Sequence, residues 1–168
     1  METIKGTIKP YVLNCFILIL PILVWNILLT DKLPANYQPI LFSRGIPNFL
    51  TYIENISRIL LFVIAFLMPL SFRTMKQRVG LYVYLFGVLL YFASWIVLIF
   101  FPASGWSNSA IGYSAPSYTP AVWITGIALI GDSFSFSLPF RGWIFICVSI
   151  VFLMAHISHT VLVYYQIK

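Results

Sequence analysis

The sequence predicts an all-helical membrane protein: a bundle of four transmembrane helices with a short half-helix or re-entrant segment, or five spans in an alternative path. Three observations predict it. Hydrophobic residues make up 61% of the chain and charged residues 8%, with mean hydropathy +0.96, and such a chain does not stay dissolved in water. The apolar residues gather into runs of about 20, the length at which a helix crosses a hydrocarbon core with every backbone amide paired inside its own segment. Short stretches rich in Pro, Asn, Ser and Gly separate the runs, so the 168 residues make one transmembrane domain with no room for a water-soluble one.

The first run covers about 11–30. It lacks a small-residue cleavage site and is expected to remain as an anchor. Asn14, Pro21 and Asn26 interrupt it, and Pro21 frees a carbonyl that a neighbouring helix must satisfy. The outer loop 31–47 holds Pro34, Pro39 and Pro47 with Asn36, Tyr37 and Gln38, which suits an ordered loop folded over the bundle mouth. Pro47-Asn48 signals the start of a second helix, whose apolar part spans about 53–72. The third span is expected at about 79–101 and the last at about 143–165, with Trp25, Trp95, Trp143, Tyr164 and Tyr165 toward span ends.

Between the third span and the last lie an outer loop, 102–119, and an apolar stretch of about 120–130. Thr119-Pro120 reads as an N-cap followed by the first helical residue, and Gly131 as a stop. A helix of that length is about 17 Å long, roughly half a hydrocarbon core. It is therefore read as a half-helix tucked against the bundle. The alternative continues it through Asp132 as a fifth span, and the cost of a carboxylate inside the bilayer argues against that path.

Lys5 and Lys9 precede the first apolar run, and Arg73, Lys76 and Arg78 lie in the short stretch between the second and third, so the N-terminus is expected in the cytoplasm of a cell carrying this protein in its cytoplasmic membrane. The net charge of +6 is scattered among apolar segments and forms no continuous basic face, so nucleic acid is excluded as a partner. Cys15 and Cys147 stand alone in apolar runs, which predicts neither a disulfide framework nor a metal knuckle.

Several polar or small residues stand out against this background. Gly80, Gly87 and Ser94 recur every seven positions, with Tyr84 and Tyr91 between them, and form a helix-packing seam. It serves either the bundle itself or self-association. Glu54 and Arg58 are spaced for an intrahelical ion pair. With Asn55, Tyr113, Tyr118 and Trp123 they are the candidate ligand-binding residues, Arg58 offering paired donors to a phosphate or carboxylate. His156 and His159 share one helix side and are the candidate catalytic or, less favourably, metal-ligating residues. A metal needs three or four ligands, and Glu54, Asp132 and Cys147 have no sequence relation that brings them near, so no cofactor is expected.

There is no Gly-x-Ser-x-Gly turn, phosphate-cradling glycine loop or Cys-x-x-Cys motif. The expected function is therefore of binding or accessory type, recognising a membrane lipid, an apolar ligand or a membrane-protein partner from the outer face. Two alternatives stand beside it. One is a membrane-embedded enzyme acting on a lipid-like substrate through His156, His159, Glu54 and Arg58. The other is a homo-oligomeric channel or transporter subunit assembled through the glycine seam.

Overall fold

A computed structural model describes residues 13–135, 139 and 142–167. Its helices are α1 (Leu20–Leu29), α2 (Pro39–Phe42), α3 (Asn48–Leu67), α4 (Met75–Phe100), α5 (Ala110–Tyr113), α6 (Ala115–Tyr118), α7 (Pro120–Ile130) and α8 (Gly142–Gln166). Four stretches are long and apolar enough to cross a membrane: Cys15–Lys32, Asn48–Leu67, Met75–Phe100 and Gly142–Gln166. The chain is thus a helical bundle of the transmembrane type, with large apolar side chains such as Ile27, Ile59, Leu89 and Met154 pointing outward.

The first span is not one continuous helix. A 3₁₀ turn, Cys15–Leu18, opens it under a cap in which Asn14 Oδ1 accepts from Phe16 N, and α1 then starts with Pro21 in its first turn. Pro21 therefore opens an α-helix instead of kinking one, because its missing N–H falls where no intrahelical partner was due. The carbonyl left over in the preceding turn, that of Leu18, accepts a 2.7 Å bond from the Tyr84 hydroxyl. Asn26 serves the same interface, its Oδ1 accepting from Tyr91 at 2.6 Å.

α4 begins with a capping box, Thr74 and Gln77 each bonding the other's backbone N–H. Gln77 is fully buried and does more than cap. Its Oε1 also accepts from Arg73 N, and its Nε2 donates to Ile130 O at 3.3 Å and to Asp132 Oδ2 at 2.7 Å. The end of α7 is thereby fastened to the start of α4.

The glycine seam lies along this same interface. A Cβ on Gly87 would stand 2.3 Å from Trp123 N, and one on Gly126 would stand 2.5 Å from Tyr84 N. Backbones at that separation admit no side chain, so α4 and α7 pack at the closest approach two helices allow. Gly80 fits against Gly126 and Leu129, and Ser94 is buried further along the helix. The seam faces α7 of the same chain.

The short helix lies where the sequence places it, but Thr119, at the break before it, has right-handed helical backbone angles, and its hydroxyl bonds Ala115 O instead of capping α7. α5, α6 and α7 run in series, so the 110–130 stretch reaches about 30 Å at about 1.5 Å per residue, roughly the thickness of a hydrocarbon core. One end of that stretch meets the outer loop, Tyr37 donating to Tyr113 O. The other end meets Gln77, near the turn where Cys15 N bonds Met68 O.

The short helix thus packs along α4, and the 110–130 stretch links the two ends of the bundle. Asp132, whose burial argued against a fifth span, is exposed at the bundle end and bonded to Gln77. The cost of a carboxylate inside the apolar layer does not arise. From there α8 runs antiparallel to α3, its far end bonded through Tyr164 to Asn108 O and through Gln166 to Gly45 O.

Candidate functional site

The antiparallel pairing of α3 and α8 brings residues 54 and 58 level with residues 156 and 159. Glu54 is the centre of the resulting cluster and is only 5% exposed. Its Oε1 pairs with Arg58 Nη2 and stands 3.0 Å from His156 Nδ1, and its Oε2 stands 2.7 Å from His159 Nδ1. The opposite nitrogen of His159, Nε2, meets the carbonyl of Phe42 at 2.9 Å. A carbonyl only accepts, so Nε2 carries hydrogen, and one further proton lies between His159 Nδ1 and the carboxylate.

Packing fixes the ring orientations. Phe42 stacks on His159 with centroids 4.7 Å apart, and Phe152 stacks on His156 at 5.3 Å. Arg58 lies over the Phe152 ring at 5.6 Å and donates from Nη1 to Asn55 Oδ1. The outer loop thus reaches the cluster through α2, which supplies both the stacking ring and the acceptor for His159.

What joins the two histidines is a carboxylate. Three of their four ring nitrogens face acceptors, and among the described residues no group of three or more His, Cys, Asp or Glu is placed to hold a metal ion.

Beside the cluster is a cavity of about 250 Å³. Ile19, Ile22, Leu61 and Phe62 give it apolar walls, and Arg58, His156, Asn26 and Tyr91 are the polar residues of its lining, with Trp123 beside them. Trp123 is 4% exposed, and its indole N–H is buried without a partner among the described residues. A second cavity of about 210 Å³ shares Asn26, Tyr91 and His156 and extends toward Thr30, Leu33, Tyr37 and Phe42. His156 stands on the wall of both.

Of the residues singled out in the sequence, Glu54, Asn55, Arg58, His156 and His159 meet in the cluster, and Trp123 faces the adjoining cavity. Tyr113 and Tyr118 do not join them. Tyr113 stacks on Tyr37 at 4.5 Å near Tyr164, at the end of the bundle, where burial raises the phenol of the loop residue Tyr37 above its ordinary range. Tyr118 is half-buried at the end of α6, outside both cavities. Asn26, Tyr91, Phe42 and Phe152 were missed. Asn26 and Tyr91 were visible as polar groups in apolar runs, whereas nothing local marks Phe42 or Phe152.

The fold and the cluster define a transmembrane helical protein with a buried carboxylate–histidine–arginine centre. No family model matches the sequence, and no curated protein or solved structure matches it either.

Proposed function

We propose that this protein binds an amphiphile with an anionic head group inside the membrane, the head on Arg58 and Trp123 and the apolar part in the cavity beside them. The observation that carries the reading is the Arg58 guanidinium on the wall of a largely apolar cavity, with Trp123, whose indole N–H is buried and unpartnered, among the lining residues. A buried N–H without a partner costs about 1–3 kcal/mol, which an acceptor on a ligand would remove. Arg58 uses two of its five donors on Glu54 and Asn55, and a phosphate or carboxylate suits the rest.

The positive residues of the N-terminal stretch and of the 73–78 turn support a cytoplasmic N-terminus. The second cavity then opens toward the outer face, under the loop that carries Tyr37 and Phe42.

The test is binding of short-chain phosphatidylglycerol and phosphatidylcholine to the detergent-purified protein, followed by native mass spectrometry. Arg58→Ala is expected to weaken phosphatidylglycerol binding by about 10- to 100-fold, the worth of a charged hydrogen bond at about 1.5–3 kcal/mol, and Arg58→Lys by less. Equal binding by wild type and Arg58→Ala would overturn the reading.

A further inference from the structure

Glu54 holds His156 in a particular tautomer. The carboxylate oxygen 3.0 Å from Nδ1 accepts, so Nδ1 carries the hydrogen and, in the neutral ring, Nε2 carries the lone pair. Among the described residues no group bonds that Nε2, and the residue lines both cavities. A buried carboxylate behind the imidazole of a cavity-lining histidine, the far ring nitrogen left unbonded, is the arrangement of an oriented general base. Glu54 is itself fixed by Arg58 and His159. His159 has no such freedom, since Glu54 and Phe42 take both of its ring nitrogens.

We propose that the cavity is also a reaction site in which His156 is the general base for hydrolysis of a carboxylic ester in the bound amphiphile. The proposal rests on the binding reading above. His156 Nε2 takes a proton from a water molecule as the water oxygen adds to the ester carbonyl carbon. The carbonyl electron pair moves to oxygen, where the donors of Arg58 that the head group leaves free stabilise the charge. Collapse of the adduct breaks the bond to the alkoxy oxygen, which takes the proton back from Nε2. The products are a fatty acid and the corresponding alcohol, and water is the only co-reactant. His156 is the catalytic residue, and Glu54 is a positioning residue that stabilises the imidazolium formed on the way.

The test uses the full chain in lipid nanodiscs with two probes, a diacyl phosphatidylglycerol and its diether analogue, which cannot be hydrolysed. Fatty acid release is followed by mass spectrometry. Wild type is expected to release fatty acid and lysolipid. His156→Gln is expected to lower kcat by about 10²- to 10⁴-fold while binding the diether analogue within about threefold of wild type. Glu54→Gln should lower kcat with little change in KM, a split that a merely structural defect would not give.

Should His156→Gln fail to fold, diethyl pyrocarbonate on the wild-type protein replaces it. His156 is the more exposed of the two histidines, and its modification should stop release and be blocked by the diether lipid. Binding of the diether lipid without fatty acid release, or release by His156→Gln at the wild-type rate, overturns catalysis and leaves the binding reading standing. Release of a phosphorylated head group in place of fatty acid overturns the ester assignment. Failure to bind either lipid removes both readings.

Discussion

A carboxylate inside an apolar layer is costly because nothing around it replaces water, and Glu54 meets that cost with three partners. The converse is that each partner depends on Glu54. With the carboxylate gone, Arg58 and the shared proton of His159 would stand uncompensated. Glu54→Ala is therefore expected to destabilise the bundle by about 3–5 kcal/mol, the usual loss when one member of a buried ionic group is removed. Thermal unfolding in a mild detergent reads this. Glu54→Leu combined with His159→Phe should recover part of the loss, since replacing both members with apolar groups removes the unsatisfied atoms as well. A single Glu54→Ala protein as stable as wild type would mean that the cluster contributes nothing to folding.

At the scale of elements, the contact of α4 with α7 decides where the cavity wall stands. Trp123 is held at its place because Gly87 has no side chain to push it away. Gly87→Ala is expected to cost about 1–3 kcal/mol, the range for overpacking a tight interface, and to weaken lipid binding because Trp123 moves with α7. Gly105→Ala is the control, since a Cβ there would meet nothing within 4 Å. A melting temperature unchanged in Gly87→Ala would show the two backbones to be further apart than described. The seven-residue recurrence of Gly80, Gly87 and Ser94 was legible because a close helix contact needs small residues at that period. Its partner was not, because Gly126 sits alone in a stretch too short to show a period. The same limit applies to Gln77, whose role as a cap follows from its place three residues after Thr74, while its bonds to Ile130 and Asp132 depend on where α7 ends.

At the scale of the whole molecule, the spans were legible from length and hydropathy, because a bilayer imposes both. The candidate site was legible only as two separate pairs, Glu54 with Arg58 and His156 with His159. Whether those pairs meet depends on the number of times the chain changes ends between them, and local sequence does not fix that number at the 110–130 stretch. Three short helices in series, broken at Ser114 and Thr119, carry the chain from one end of the bundle to the other, beginning ahead of the 120–130 helix that the sequence marks. This path puts Cys15, bonded to Met68 O, and Gln166, bonded to Gly45 O, at opposite ends of the bundle. Reporters fused before residue 1 and after residue 168 should accordingly report opposite compartments, and the proposed orientation, with the positive residues of the 73–78 turn inside, predicts an external C-terminal reporter. Lys76→Cys, at the start of α4, should resist a membrane-impermeant maleimide added from outside, whereas Gly105→Cys should react. Reporters on the same side would turn α8 around. His156 and His159 would then lie at a different depth from Glu54, and with the cluster would go both the binding reading and the catalytic one.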